Sequence, residues 1–341
     1  MKIRLQLLCL ILTLAAGPAQ AEELLILSSA RIIPPAIMEG FEKESGIKIR
    51  LEYFESPEAL AAYLESRPRG DLALLRGYYL QGLIDNRQLA RLNHRLLPGL
   101  KNLDEWALNS PADPGARYSV PFLIGTMGIL YRGAAMDGVR SDWNHIFGPE
   151  AGTMPFACPD QYRDALGASL ISLGYSYNSV SAEAIGEAAE RLRNLKNHPT
   201  FMGFMPPETV LRYLRERFIH CAVTYNNLAA IAINEDSGLE YVVPDHNRVS
   251  WVYAFVLNQA SSRTNEAHKW LNYLLKPEVA AAVSTWNKAA SPNTAALPLL
   301  PPEIRNNPVI YPASAVWFGA ERPTGVGETE KLYIEHWSGM R

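Results

Sequence analysis

The stretch from Trp251 to Asn293, WVYAFVLNQASSRTNEAHKWLNYLLKPEVAAAVSTWNKAASPN, decides how the surrounding chain folds. It begins with an apolar run, 251–257, that is rich in aromatic and β-branched residues and has the length of a strand. After a polar break, a stripe at i, i+3, i+4 and i+7 predicts an amphipathic helix through Ala267, Trp270, Leu271 and Leu274. Pro277 suits the first turn of a second helix, which carries Val279, Ala280, Val283 and Trp286.

The N-terminal part of the chain predicts a parallel sheet with crossover helices. Strands are predicted at 24–27, 47–53 and 71–75, with helices between them that start at Pro34-Pro35 and at Ser56-Pro57-Glu58. A β-α-β-α-β order of this kind favours parallel strands joined by helices. Because such sheets bind ligands beyond the carboxyl ends of their strands, 28–32 and 76–79 are candidate ligand-contacting segments.

A second group of elements is predicted after the chain passes Arg132. Its strands are expected at 153–158, 221–225 and 239–243, and its helices include one capped by Ser181 and one at 209–218. Two further strands, 118–122 and 125–131, are expected to lead to this crossing point. The proline-rich segment 298–312 is interpreted as an extended connection that returns across the second group.

A series of short motifs, taken in order and spacing, resembles bacterial periplasmic solute-binding proteins, and most closely their spermidine/putrescine-binding branch. The motifs are Pro34-Pro35, Phe41 to Lys48, Asp71-Leu72, Tyr78-Tyr79, Tyr118 to Pro121, Leu173 to Ser176 and Ser291 to Asn293. The resemblance implies an α/β fold of the two-lobed periplasmic-binding-protein type II, in which each lobe is a mostly parallel sheet flanked by helices. It places the ligand in the cleft between a lobe 1 of residues 22–131 and 252–297 and a lobe 2 of residues 132–251 and 298–341.

The resemblance also implies which positions contact the ligand. In the polyamine-binding branch, aromatic rings enclose the ligand and carboxylates anchor its ammonium groups, and a desolvated cation over a ring gains about 2 kcal/mol. The matching candidates in this sequence are Ser29, Arg76, Tyr78, Asp160, Gln161, Asp164, Tyr225, Trp251 and Tyr253. Aromatic residues are therefore retained in part, whereas the carboxylates are depleted, since Tyr253 stands where the branch has its main carboxylate.

Arg76 adds a positive charge at a position where the branch has a small hydroxyl residue. Two like charges about 4 Å apart repel by about 4 kcal/mol at an effective dielectric constant of about 20. A plain diamine is therefore expected only if Asp160 or Asp164 neutralises Arg76. We expect instead a ligand of both signs, such as an ω-amino acid or an acylated polyamine, whose carboxylate or carbonyl meets the guanidinium.

Alternative structural roles remain open for three of these residues. Arg76 can pair with an acid of its own lobe, Asp164 can lie on a solvated helix face, and Tyr253 can belong to the ordinary core. The two cysteines that follow the N-terminal region, Cys158 and Cys221, either form a disulfide in an oxidising compartment or remain as two buried thiols.

The N-terminus predicts a secretory signal peptide over residues 1–21. Lys2 and Arg4 precede an apolar core, 5–16, that is too short to span a bilayer, and Ala19-Gln20-Ala21 is typical of a cleavage site. We therefore expect export to the periplasm with cleavage of this segment. Separately, we expect the protein to be a monomer.

Several classes of function are disfavoured by the sequence. The formal net charge of −3 gives no electrostatic reason to expect nucleic acid. The motifs G-x-S-x-G, H-E-x-x-H, C-x-x-C and the P-loop do not occur, and the histidines have no metal-binding spacing. We expect neither an enzyme nor a cofactor or metal. The expected function is capture of an amine-bearing solute by hinge closure for an inner-membrane ABC permease; the alternative is a ligand sensor that docks on a membrane-bound signalling protein.

Overall fold

The computed structural model describes residues 23–66, 69–133, 142–148 and 154–340, so the predicted signal peptide lies outside the described residues. The described strands are β1 Glu23–Ser28, β2 Lys48–Tyr53, β3 Leu72–Arg76, β4 Asn109–Ser110, β5 Asp113–Pro114, β6 Ser119–Arg132, β7 Phe156–Pro159, β8 Phe201–Met205, β9 Cys221–Tyr225, β10 Leu239–Val242 and β11 Val249–Leu257. In the main sheet, neighbouring strands follow the order β2-β1-β3-β11-β6-β9-β7-β8, and β10 pairs with β6.

Helices pack against the strands in both halves of the sheet. They are α1 Pro35–Ser45, α2 Pro57–Glu65, α3 Leu80–Asp85, α4 Glu105–Leu108, α5 Asn144–Phe147, α6 Tyr162–Ser172, α7 Ala182–Lys196, α8 Pro207–Arg215, α9 Asn226–Glu235, α10 Thr264–Leu274, α11 Pro277–Asn287, α12 Pro302–Arg305, α13 Ser314–Phe318 and α14 Glu330–Ser338. None of the described helices is long and apolar enough to cross a membrane.

Two long antiparallel strands, β6 and β11, form the centre of the sheet. On one side β11 pairs with β3, and on the other β6 pairs with β9. The outer pairs β1–β2, β1–β3, β7–β8 and β7–β9 are parallel, as the βαβ pattern predicts. The two strands predicted at 118–122 and 125–131 are one strand of 14 residues, because the intervening Leu123 and Ile124 continue the pairing with β11.

The predicted helix ends correspond to recognisable capping chemistry. Gly46 ends α1 in the left-handed conformation, with φ of 74°, which glycine adopts without steric cost. The Ser56 hydroxyl accepts a hydrogen bond of 3.1 Å from the Ala59 backbone N–H and so caps α2. Pro277 occupies the first turn of α11, where a missing N–H costs nothing.

The helices predicted in the 251–293 stretch pack as their apolar stripes require, with one exception. Trp270 of α10 is fully buried and makes an edge contact with Phe41, at 5.1 Å between ring centroids. In α11, Val279 and Val283 are buried, but Trp286 is 52% exposed. At about 100° per residue, Trp286 lies roughly 90° from the centre of the buried stripe, and Asn287 takes the buried position instead.

The proline-rich segment is not simply extended, contrary to the interpretation from sequence. Residues 294–299 form a 3₁₀ helix and 302–305 a short α-helix. Leu300, Ile304 and Ile310 join a small buried cluster with Ala230 of α9 and Ala280 of α11. The segment therefore ties helices from the two sides of the central strand pair together.

Cys158 and Cys221 are free, buried thiols, so the alternative of two unbridged cysteines holds in place of the disulfide. Cys221 in β9 is in register with Phe156 in β7, two residues before Cys158. That offset is about 6.6 Å along the strands, in addition to about 4.8 Å between strands. Together these two offsets separate the Cα atoms of Cys158 and Cys221 by more than about 7 Å, the largest separation that a disulfide spans.

We predict that neither thiol reacts with Ellman's reagent in the native protein at pH 8. Burial raises the pKa of the Cys221 thiol to about 12 and also raises the pKa of Cys158, so the reactive thiolate is scarce and shielded. Unfolding in urea without reductant should expose both thiols. A denatured protein that releases no thionitrobenzoate until a reductant is added would instead contain the disulfide.

Candidate functional site

The candidate site lies where strand ends from the two sides of the sheet meet beside β11. Arg76 ends β3 on one side, Tyr225 ends β9 on the other, and Asp164 lies in the first turn of α6, directly after β7. Tyr253 of β11 is the register partner of Arg76. The polar side chains at the carboxyl ends of the parallel strands therefore lie close together, as expected for an open α/β sheet. We call the region where Arg76, Asp164, Tyr225 and Tyr253 meet the seam.

A buried ion pair between Arg76 and Asp164 crosses this seam. One guanidinium nitrogen, Nη2, lies 2.9 Å from Oδ1 and 3.1 Å from Oδ2 of the carboxylate. The side chains of Arg76 and Asp164 are only 6% and 2% exposed. Burial disfavours the charged guanidinium, but Asp164, Tyr225, Tyr253 and Tyr78 together more than compensate, so the pKa of Arg76 lies well above its usual value. The guanidinium therefore stays charged.

Two tyrosines complete the hydrogen bonding of the Asp164 carboxylate. The Tyr177 hydroxyl donates to Oδ1 at 2.8 Å, and the Tyr225 hydroxyl donates to Oδ2. Burial raises the pKa of both phenols well above the ordinary value, and the charge of Asp164 raises it further. Both tyrosines therefore remain protonated donors, and the carboxylate oxygens have partners although they are removed from water.

Aromatic rings surround the Arg76 guanidinium. Its central carbon lies 4.9 Å from the ring centroid of Tyr225 and 5.7 Å from those of Tyr78 and Tyr253. Trp251 extends this wall, at 6.5 Å from the Tyr225 centroid and 5.9 Å from that of Tyr253. Distances below about 6 Å are those at which a cation is attracted to a ring face. We call these four rings the aromatic cage.

The backbone of β6 fixes the tryptophan of the cage. The Trp251 indole N–H donates to the Thr126 carbonyl at 3.2 Å. A side chain at Gly125, the register partner of Trp251, would collide with the indole ring and with the Asn226 amide. Glycine at position 125 therefore allows the indole to lie flat against the strand.

The structure decides the alternatives that the sequence left open. The partner of Arg76 is an acid from the opposite side of the sheet, so pairing within its own lobe is wrong. Asp164 is 1% exposed, so a solvated helix face is also wrong. Tyr253 faces the guanidinium, so it is not an ordinary core residue.

The remaining candidates lie near the seam but outside the ion pair. Gln161 precedes α6 and donates from Nε2 to Asp160 at 3.3 Å. The Gln161 Oε1 and the Ser29 Oγ are buried, and neither has a hydrogen-bond partner among the described residues. These two buried atoms, one on each side of the seam, therefore have unused hydrogen-bonding capacity within the described part of the chain.

Sequence reasoning missed three residues that shape the site. Tyr177 comes from the loop before α7, where nothing in the local pattern marks it as a partner of Asp164. Arg163 is fully buried beside Tyr78 and donates to the Thr324 carbonyl at 2.9 Å. Glu58 has a buried oxygen, Oε1, without a partner among the described residues. The pKa of Tyr78 is raised mainly by the burial of that tyrosine, and the charge of Glu58 raises it further. In the sequence, Glu58 is already explained as an acid in the first turn of α2, so nothing there indicates that it also lies near the cage.

A small cavity borders Arg76 away from its ion pair. It has a volume of about 20 Å³ and is lined by Tyr78, Trp251 and Arg322 among others, but not by Asp164. A void of this size holds about one water molecule. The interior of the cage is occupied by the Arg76 guanidinium, which lies within 5.7 Å of three of its ring centroids.

Comparison with known proteins places this architecture in a family. The model of bacterial extracellular solute-binding proteins matches residues 36–312. The chain belongs to this family. As their name states, the members of this family bind solutes outside the cell.

The relatives are similar over nearly their full lengths. A spermidine/putrescine-binding periplasmic protein of Salmonella typhimurium is 28% identical over 96% of this chain and 94% of its own length. A putrescine/agmatine-binding protein of Pseudomonas aeruginosa is 30% identical over 82% of this chain and 80% of its own. The crystal structure of the spermidine/putrescine ABC transporter substrate-binding protein PotD from Streptococcus pneumoniae superposes with a TM-score of 0.79 at 25% identity, over 94% of this chain and 100% of that one. The predicted type II fold is therefore confirmed.

We predict that Asp164→Ala destabilises the protein by about 3–5 kcal/mol, because it leaves the Arg76 charge buried without a partner. Urea unfolding followed by tryptophan fluorescence measures the change. The matched control is Glu235→Ala, which breaks an exposed ion pair with Arg215. The Glu235 side chain is 40% exposed and the Arg215 side chain 54%. That change should cost no more than about 1 kcal/mol. Equal losses in the two variants would contradict a buried, mutually dependent pair at the seam.

Proposed function

We propose that the protein is a periplasmic receptor that captures a small amine-bearing solute, a polyamine or an ω-amino compound, by closure of its two lobes and delivers it to an inner-membrane ABC permease. The observation that carries the proposal is the buried Asp164 carboxylate inside the aromatic cage, which already holds an organic cation, the Arg76 guanidinium. A site built in this way is suited to an ammonium group, for which the cage supplies ring faces and Asp164 the counter-charge.

The names of the relatives support both an amine as the solute and its delivery to an ABC permease. Those described above are named for polyamine binding, and one is named as the substrate-binding protein of an ABC transporter. This favours a transport role over docking on a membrane-bound sensor. The predicted signal peptide at 1–21 agrees with a periplasmic receptor. The receptor that we propose is a monomer that binds its solute and does not convert it.

The charges at the seam favour particular amines. If an ammonium group takes Asp164, the displaced Arg76 needs a new partner, because an unpaired buried guanidinium is costly. The carboxylate of an ω-amino acid supplies that partner, whereas a plain diamine does not. For a longer amine, the free acceptors of Glu58, Gln161 and Ser29 offer additional contacts.

A thermal-shift screen of the mature protein tests the proposal. We expect 5-aminovalerate, putrescine and spermidine to raise the melting temperature in a concentration-dependent way, since a ligand that binds the folded form stabilises it by mass action. Glutarate, a dianion of similar length, serves as the control and should have no effect. Stabilisation by glutarate together with no response to any amine would contradict an amine receptor.

We further predict that Trp251→Leu weakens binding of the amines found in the screen at least tenfold. The variant removes an aromatic wall that contributes about 2 kcal/mol to a desolvated cation, and a tenfold change corresponds to about 1.4 kcal/mol. Isothermal titration measures it. The control Trp286→Leu alters an exposed tryptophan of α11 and should leave affinity unchanged. Equal affinities for Trp251→Leu and the unaltered protein would place the amine outside the cage.

A further inference from the structure

The guanidinium of Arg76 has the contacts that the cation of a bound amine would need. It makes an ion pair with Asp164 and lies within 5.7 Å of three ring centroids of the cage. The two residues are 88 positions apart, and they connect the end of β3 to the start of α6 across the seam. The contacts that would hold a solute between the lobes are therefore made by a side chain of the protein.

The cage cannot hold this side chain and a diamine together. The Arg76 and Asp164 side chains are only 6% and 2% exposed, so the pair is closed to solvent. Both oxygens of the Asp164 carboxylate already accept hydrogen bonds, from Arg76 and from Tyr177 or Tyr225. The solute must therefore displace the guanidinium from Asp164 before its own ammonium group can bind there.

We propose that Arg76 is a tethered cation that competes with the solute for Asp164 and thereby sets which amines the protein accepts. Because the competitor is attached to the protein, it acts at a high effective concentration that dilution does not change. The apparent affinity for any amine is reduced by the fraction of molecules in which the guanidinium occupies the cage. This proposal rests on the proposed function only in taking Asp164 as the carboxylate that receives the amine.

The competition affects different solutes unequally. A plain diamine that takes Asp164 leaves the guanidinium without a carboxylate and gains no compensating contact. An ω-amino acid brings a carboxylate that can pair with the displaced guanidinium, so both charges keep partners. Arg76 is thus a specificity-determining residue that selects against diamines and in favour of solutes carrying an anion. The same ion pair also holds the lobes together when no solute is added.

Isothermal titration of Arg76→Ser with putrescine and with 5-aminovalerate tests this role. We expect putrescine to bind at least tenfold more tightly to the variant than to the unaltered protein, and 5-aminovalerate at least tenfold more weakly. The double variant Arg76→Ser/Asp164→Asn should lose the gain in putrescine affinity. Arg215→Ser, which removes an exposed arginine of α8, is the control and should bind both compounds as the unaltered protein does.

Small-angle X-ray scattering supplies a readout that does not depend on affinity. Without added solute, Arg76→Ser should have a larger radius of gyration than the unaltered protein, because the link across the seam is gone. Putrescine should reduce the radius of the variant. If Arg76→Ser fails to fold by circular dichroism, Arg76→Gln, which is neutral but larger, takes its place under the same criteria.

The outcomes separate this proposal from the proposed function. Putrescine binding to Arg76→Ser that is no tighter than to the unaltered protein overturns the tethered cation, even if the unaltered protein binds amines well. A gain that persists in the double variant overturns it too, because Asp164 would not be the shared partner. Binding of putrescine by Arg76→Ser but of no amine by the unaltered protein supports the tethered cation and contradicts the proposed function.

Discussion

The ion pair between Arg76 and Asp164 is the interaction on which the arrangement at the seam depends. Either charge alone in these surroundings would be strongly unfavourable, so the two side chains must meet or both must reach water. They meet only if the end of β3 and the start of α6 approach each other. The hydroxyls of Tyr177 and Tyr225 add to this constraint, because they donate to the same carboxylate and are too buried to find other partners.

The central strands β6 and β11 connect the two sides of the sheet that meet at the seam. β6 and β11 run antiparallel through the middle of the sheet, and each pairs with an outer strand on a different side. The parallel strands on both sides present their carboxyl ends to the seam, which gathers Arg76, Asp164 and Tyr225 from distant parts of the sequence. The fold therefore supplies the position of the candidate site, and the side chains at the strand ends decide its chemistry.

The contents of the cage are the basis for the solute preference that we propose. Four aromatic rings and a carboxylate form surroundings suited to an organic cation, and the chain itself contributes such a cation from β3. In our proposal, the cage is kept and the charged side chain inside it alters which molecules can enter. Each molecule must replace the contacts that this side chain already makes.

The sequence by itself determined most of the elements and the family, since strand length, helix periodicity, Ser56, Gly46 and Pro277 act through local chemistry. It also indicated most of the cage and the conflict that Arg76 creates, because motif order places these residues at strand ends. Only the tertiary structure decided that Asp164 resolves this conflict, that Tyr177 and Glu58 lie near the cage, and that Cys158 and Cys221 stay apart. These facts depend on strand register and on contacts between residues far apart in the chain, which no local pattern encodes.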